Sequence, residues 1–447
     1  RKPHPQRTKT MADRNQFNQA DELTRRQFMC DSARKYLGVT LAPMLGASVA
    51  TEAFGFNTPL RARAAKSVIF LNMSGGMSHI DTFDPKPKRP DVQGPATPID
   101  TVAPDIKLTK YLPKTANIAD RICVINSMRT NQGAHEQGQY YLHRSYAPRG
   151  TIVHPAMGSW VLRLGGRRNK TIPGYVTIGG GAETASGGFM GAKYSGVPIG
   201  DPNDGLKDSK LPGSVSEEDF TKRLSLADKM NAKFHGEFNQ KQVGAYEGLY
   251  DEAVKLMTSE DLKAFDIGLE PQEMHQLYGG DRFGRGCLLA RRLVEHSVRF
   301  VEVNLGGWDT HYDNFTAVEA RAAILDAGFS ALIADLEERG LLDSTMVVIG
   351  TEFGRTPDIV AEHQMGRDHF PSAYSAVIAG GGVKGGTKYG VSDGKGKKVL
   401  EGEVSPKMLN ATIAYGLGLP LDRQVMSPSG RPFWVSDKAK PVTSIFA

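Results

Sequence analysis

One repeated unit constrains this chain more than any other feature. A short, mostly apolar run ends in a polar loop, and helical periodicity separates it from the next run. Such runs occupy residues 67–72, 122–125, 175–178, 298–305, 345–349 and 375–378. Helical spacing occupies residues 112–119, 135–143, 155–164, 283–296, 316–339 and 406–417. The clearest helix, 316–339, places Val318, Ala322, Leu325, Phe329, Leu332 and Leu336 at three- and four-residue steps, and Gly340 stands where a cap is needed. Continuous apolar runs suit strands buried on both faces. The alternation predicts an α/β fold, a doubly wound and mostly parallel sheet with helices on both faces.

In a sheet of that kind the loops leaving the strands can converge on one edge, where ligand sites form. The run ending at Leu305 breaks at Gly306-Gly307 and then delivers Asp309, His311 and Asp313 at every second position. On an extended backbone the three side chains would project from one side. Carboxylate and imidazole together suit Zn²⁺ or Mn²⁺. Residues 74–81, 126–135, 309–313 and 352–369 are the loops richest in such groups. Together they offer His79, Asp81, His135, Asp309, His311, Glu352, Asp368 and His369, with Arg129, Arg355 and Arg367 as candidates for holding an anion.

The net charge of +6 does not point to nucleic acid. Residues 1–65 carry 11 Lys/Arg and 5 Asp/Glu, which leaves 44 of each sign in the rest of the chain. The basic surplus therefore belongs to a leader. In it Thr24-Arg25-Arg26-Gln27-Phe28-Met29 resembles a twin-arginine export signal, residues 36–50 are mildly apolar, and Ala62-Arg63-Ala64 offers a small-x-small cleavage site. The residues before Met11 have the look of upstream read-through. The expected domains are a leader, 1–65, and an α/β domain, 66–447, interrupted by a helical insertion over about 213–265. The expected location is the periplasm or beyond, with no transmembrane anchor after processing. Cys123 and Cys287 lie in apolar runs and are expected as buried thiols.

Residues 331–354 resemble the helix-turn-strand unit of sulfatases, in register and without a gap. Glu352 falls where that superfamily has a metal-binding Asp, and Phe353 where it has a metal-binding His. The wider pattern is similar to a twin-arginine-exported bacterial family, domain of unknown function fifteen-oh-one, of the alkaline phosphatase-like fold group. The matching pieces are residues 74–87, 188–194, 307–311, 352–357 and 366–369.

The resemblance implies an exported hydrolase of sulfate or phosphate esters with a divalent metal (Zn, Mn or Ca). Asp309, His311 and His369 are compatible with one of the group's two metal sets. The other set is altered at Asn72 and Phe353, where His79, Asp81 and Glu352 could replace the lost ligands. His135, Arg355 and Arg367 are the catalytic candidates, His135 by likeness to a His of the phosphoglycerate mutase relatives. Asn72, Ser74 and Arg129 are the candidates for touching substrate. The implied partners are an anionic small molecule or glycan and the twin-arginine translocation machinery. The alternative is a non-catalytic binding or scaffold protein that keeps the fold with a degenerate metal site.

Overall fold

The computed structural model describes residues 65–447 except 182, 208, 210–213, 217, 227–228, 230–255 and 258. The leader and most of the expected insertion lie outside the described residues. The chain divides into two compact units, residues 1–47 with 207–258 and residues 48–206 with 259–447. Of the first, residues 218–226 are helical. All that follows concerns the second.

Its centre is one eight-stranded sheet. In chain order the strands are β1 (Ser67–Met73), β2 (Ile122–Met128), β3 (Tyr175–Ile178), β4 (Val197–Ile199), β5 (Phe300–Leu305), β6 (Thr345–Gly350), β7 (Tyr374–Gly380) and β8 (Thr387–Tyr389). Their spatial order is β8-β2-β7-β6-β1-β5-β3-β4. Only β7 runs against the others, pairing antiparallel with both β2 and β6. The expected mostly parallel, doubly wound sheet is therefore the observed one. The short strands β4 and β8 escaped the sequence reading. Both are edge strands. Pro198 cannot donate to a neighbour and is tolerated only at such an edge, and Thr387-Lys388-Tyr389 has no apolar run.

Five helices flank the sheet: α1 (His135–Arg144), α2 (Met157–Gly165), α3 (Arg282–Glu295), α4 (Asn314–Glu338) and α5 (Pro406–Gly416). The pleat sends alternate residues to opposite faces. Val68, Phe70, Phe300, Met346, Val348 and Ile378 form one core with Leu142 of α1, Trp160 of α2 and Ile413 of α5. Helix α3 covers the opposite face of β5, where a methyl group on Gly286 would meet Val303 Cγ1 at 2.8 Å. Helix α4 ends as its sequence implies. Gly340 turns left-handed at φ 65°, its N–H donates to Glu337, and the Leu341 N–H donates to the Leu336 carbonyl. Residues 112–119, expected as a helix, yield only the single turn Pro113–Ala116. Cys123 and Cys287 are buried free thiols. Among the described residues no helix is long and apolar enough to cross a membrane.

Asn72 near the end of β1 is level with Asn304 of β5 and Gly350 of β6. Three parallel strands thus release their chains at one height in the middle of the sheet. Loops leaving the carboxyl ends of such strands are where an open α/β sheet places its ligand sites.

Candidate metal centre

Glycine at position 75 lets the loop after β1 close onto the loop after β5. Gly75 has φ 116°, and a Cβ there would lie 2.5 Å from the Asp309 backbone nitrogen. Arg355, fully buried after β6, ties the loops together. Its Nε donates to the Gly76 carbonyl at 3.1 Å, its Nη1 to the Arg367 carbonyl at 3.1 Å, and its Nη2 to the Gly75 carbonyl and to Asp309 Oδ1. A two-residue ribbon then pairs Arg355 with His369 and so brings His369 to the same place.

Asp309 Oδ1 is the focus of what results. His135 Nε2 lies 3.3 Å from it, His311 Nε2 3.2 Å and His369 Nε2 3.4 Å. Each ring is fixed from behind through Nδ1: His135 to Glu352 Oε1 at 2.8 Å, His311 to Asp368 Oδ1 at 2.8 Å, and His369 to the Gly133 carbonyl at 2.8 Å. A carbonyl can only accept, so His369 carries its proton on Nδ1 and presents a lone pair at Nε2. Carboxylates behind the other two rings favour the same tautomer. Glu352 is itself held, by the Gly75 N–H at 2.9 Å and by Gln139 Nε2 at 2.8 Å. Gln139 stands one turn along α1 from His135.

Charge follows this geometry. Burial alone would raise the Asp309 carboxyl, but the Arg355 hydrogen bond and charge, with His135 and His311, hold it down at about 2. The hydrogen bond to Glu352 raises His135 against the opposing effect of burial. Burial lowers His369, helped by the charges of Arg355, His135 and His311.

The family model described as "Protein of unknown function (DUF1501)" matches residues 65–446. The chain belongs to the DUF1501 family. No curated protein matches it. Among solved structures, this DUF1501 chain is similar to the lipoteichoic acid synthase LtaP from Listeria monocytogenes at 10% identity and TM-score 0.37, over 89% of this chain and 79% of that one. It is similar to the PsFucS1 sulfatase from Pseudoalteromonas sp. at 13% identity and TM-score 0.39, over 85% and 73% of the two chains. It is similar to alkaline phosphatase from the Antarctic bacterium TAB5 at 10% identity and TM-score 0.33, over 71% and 92%. Likenesses this distant have no bearing on activity.

The residues of the DUF1501 centre fit a divalent cation. Donor atoms of His135, Asp309 and His369 lie within 4.8 Å of one another. His135 Nε2 is buried and has no hydrogen-bond partner of its own. His311 Nε2 and His369 Nε2 are 2.9 Å apart with their outer nitrogens already anchored, so a proton or a cation must separate the two. Zn–N bonds of about 2.0–2.1 Å imply donors roughly 3.3 Å apart in a tetrahedral site, close to the spacing around Asp309 Oδ1.

Other expected ligands are used elsewhere. Asp81 and Arg367 form a buried ion pair, Nε to Oδ2 at 2.8 Å and Nη2 to Oδ1 at 3.0 Å. Asp81 also accepts from Ser78 and Asn314, and Arg367 spends its remaining donors on the carbonyls of Thr356, Pro357 and Val92. Neither group faces the cluster, because a buried charge must be paired and these two pair with each other. His79 is buried with Nε2 on the Gly396 carbonyl. Glu352 sits behind His135 and does not join the donor set. Arg355 has its charge on Asp309. Asn72 donates to Asn304 and Gln139, supporting the shell behind Glu352. The Ser74 backbone spans β5 and its loop, accepting from the Trp308 N–H at 3.4 Å and donating to Leu305. Arg129 is exposed and paired with Glu403 at 2.9 Å. Phe353 is buried beneath the cluster, its ring 5.0 Å from that of His135 and 4.6 Å from that of His369. Asp313 turns left-handed at φ 45° to start α4, so it leaves the line that Asp309 and His311 begin. Gln139 and Gly133 were missed. The four-residue step from His135 to Gln139 was the available signal for the first, and a backbone carbonyl gives none.

Two measurable consequences follow. Glu352→Gln keeps the size of the side chain but removes the charge behind His135. It should weaken metal binding by about 10–100-fold with the fold intact, read by competition against a zinc chelator. His79 is lowered from 6.5 to about 4, chiefly by burial. Between those values the unfolded chain takes up a proton that the folded protein refuses, so this contribution is fully favourable above pH 6.5 and is lost as pH falls toward 4. The loss amounts to about 3 kcal/mol at the acid end. Urea unfolding of the wild type should show it, and His79→Leu should flatten the slope in that window.

Proposed function

We propose that this protein is a metal-dependent hydrolase of sulfate or phosphate esters. One observation carries the reading: three imidazoles, each anchored at Nδ1, aim Nε2 at a single carboxylate oxygen at the carboxyl ends of the central parallel strands. His135, Asp309 and His369 would hold the cation, with His311 beside them. A divalent cation there supplies Lewis acidity and lowers the pKa of water. Arg355 keeps Asp309 ionised. His311, backed by Asp368, is placed to accept a proton at Nε2 and return it to the leaving oxygen.

The hydroxyls nearest the loop after β2 hold local hydrogen bonds. Ser127 Oγ donates to the Gly402 carbonyl at 2.6 Å, and Thr130 Oγ1 accepts from the Gln132 N–H. Attack by water, with no covalent intermediate, is the step proposed. Export by the twin-arginine route to the periplasm or beyond belongs to the same proposal, supported by Arg25-Arg26 and the leader's composition. So does a substrate that is an anionic small molecule or glycan.

Phe353, buried and without any donor atom for a cation, favours a second reading: a binding or scaffold protein that retains the sheet. Turnover of 4-nitrophenyl sulfate and phosphate with Zn²⁺, Mn²⁺, Ca²⁺ and Mg²⁺ separates the two. A wild type inert on both esters, and free of stoichiometric metal when purified from its native compartment, would overturn the hydrolase.

A further inference from the structure

The arginines at the metal centre are consumed by the fold, so the grip on an anionic substrate must lie elsewhere. A cavity of about 470 Å³ runs along the flank of α1. Asn131, Tyr146, Arg149, Arg431 and Trp434 contribute to its wall. Asn131 belongs to the loop whose Gly133 carbonyl fixes His369. At 1.5 Å per residue, the wall at Tyr141 stands roughly 9 Å along α1 from His135. That is the span of about two sugar rings.

The wall is cationic and pre-formed. Among the described residues neither Arg149 nor Arg431 has a carboxylate partner, while the wall's own carboxylate, Asp437, has Lys407 at 3.5 Å. The Lys438 ammonium adds charge, 3.9 Å over the Trp434 ring. Tyr146 cannot swing away. Its hydroxyl donates to the Trp434 carbonyl at 2.8 Å and accepts from the Trp434 N–H at 3.0 Å, and its ring stacks on His154 at 4.5 Å and 5°. Asp437 and Lys438 are consecutive non-glycine residues at φ 50° and 60°, a strained turn of the kind that persists where function over-determines it. Fixed aromatic surface beside unpaired guanidinium groups suits a ring that carries an oxyanion.

We propose that this cavity is a subsite for an anionic sugar unit of an oligosaccharide. Arg149 and Arg431 receive its sulfate or phosphate, and the aromatic wall takes the ring's apolar face. The inference rests on the hydrolase reading for its purpose but not for its test.

Titration of the full chain, followed by calorimetry and by intrinsic tryptophan fluorescence, to which Trp434 contributes, would use three probes: a sulfated carrageenan tetrasaccharide, its desulfated counterpart and a phosphorylated mannose oligosaccharide. A charged probe should bind at least about tenfold more tightly than the desulfated one, and which of the two does so assigns the oxyanion. The double substitution Arg149→Ala with Arg431→Ala, both exposed positions, should remove that preference. Asp309→Ala should keep it while losing ester turnover. If neither charged probe is preferred, or if the double variant retains the preference, the subsite is wrong even with turnover intact. If the preference depends on the arginines but no ester is turned over, the subsite stands and the hydrolase reading fails.

Discussion

Asp309→Ala should abolish metal binding and ester turnover together, with turnover falling by about 10³ or more and affinity for Zn²⁺ by at least about 10². Asp309 Oδ1 is the atom on which His135, His311 and His369 converge, and its removal takes away the one carboxylate among the donor atoms around the cation. The cleanest reading is thermodynamic. A cation present at a thousand times its wild-type Kd should stabilise the wild type by about 4 kcal/mol, and the variant by no more than about 1.4 kcal/mol. Asp309→Asn refines the result, since it keeps an oxygen for Arg355 and removes only the charge. Unchanged Zn²⁺ affinity in either variant would place the cation elsewhere.

Arg367→Met should cost about 3–5 kcal/mol of stability, read as the shift in the urea midpoint. The loss comes from leaving Asp81 ionised and without its cation inside the protein, together with the carbonyls of Thr356, Pro357 and Val92 deprived of their donor. Adding Asp81→Asn should recover part of it, because the stranded charge disappears. A single-variant loss under about 1 kcal/mol would mean that water reaches the pair.

The sheet was legible because its central strands are buried on both faces and carry apolar stretches, such as Ile69-Phe70-Leu71 and Val347-Val348-Ile349. The loops that carry function were legible because polar residues crowd where those runs stop. What each residue does there was not. His79 and Asp81 follow a strand as promisingly as Asp309 and His311 do. The difference is set by Arg367, which is distant from Asp81 in sequence and reveals its pairing only when the chain is folded. Glu352 shows the same gap in finer detail. The structure places it behind His135, and whether such a residue touches a cation or orients a ligand depends on a few ångströms that spacing does not encode.

The acidic residues around the centre also set an order of events. Asp309, Glu352 and Asp368 bring three negative charges, and Arg355 returns one positive charge, since Arg367 and Asp81 cancel each other. Even with one proton shared between His311 and His369, the cation-free pocket is net negative and repels an anionic ester. A dication brings the local sum to zero and removes that repulsion. On the proposed reading the two partners cannot arrive in either sequence: the cation comes first, and the ester's affinity for the centre becomes a gauge of how much cation is already there.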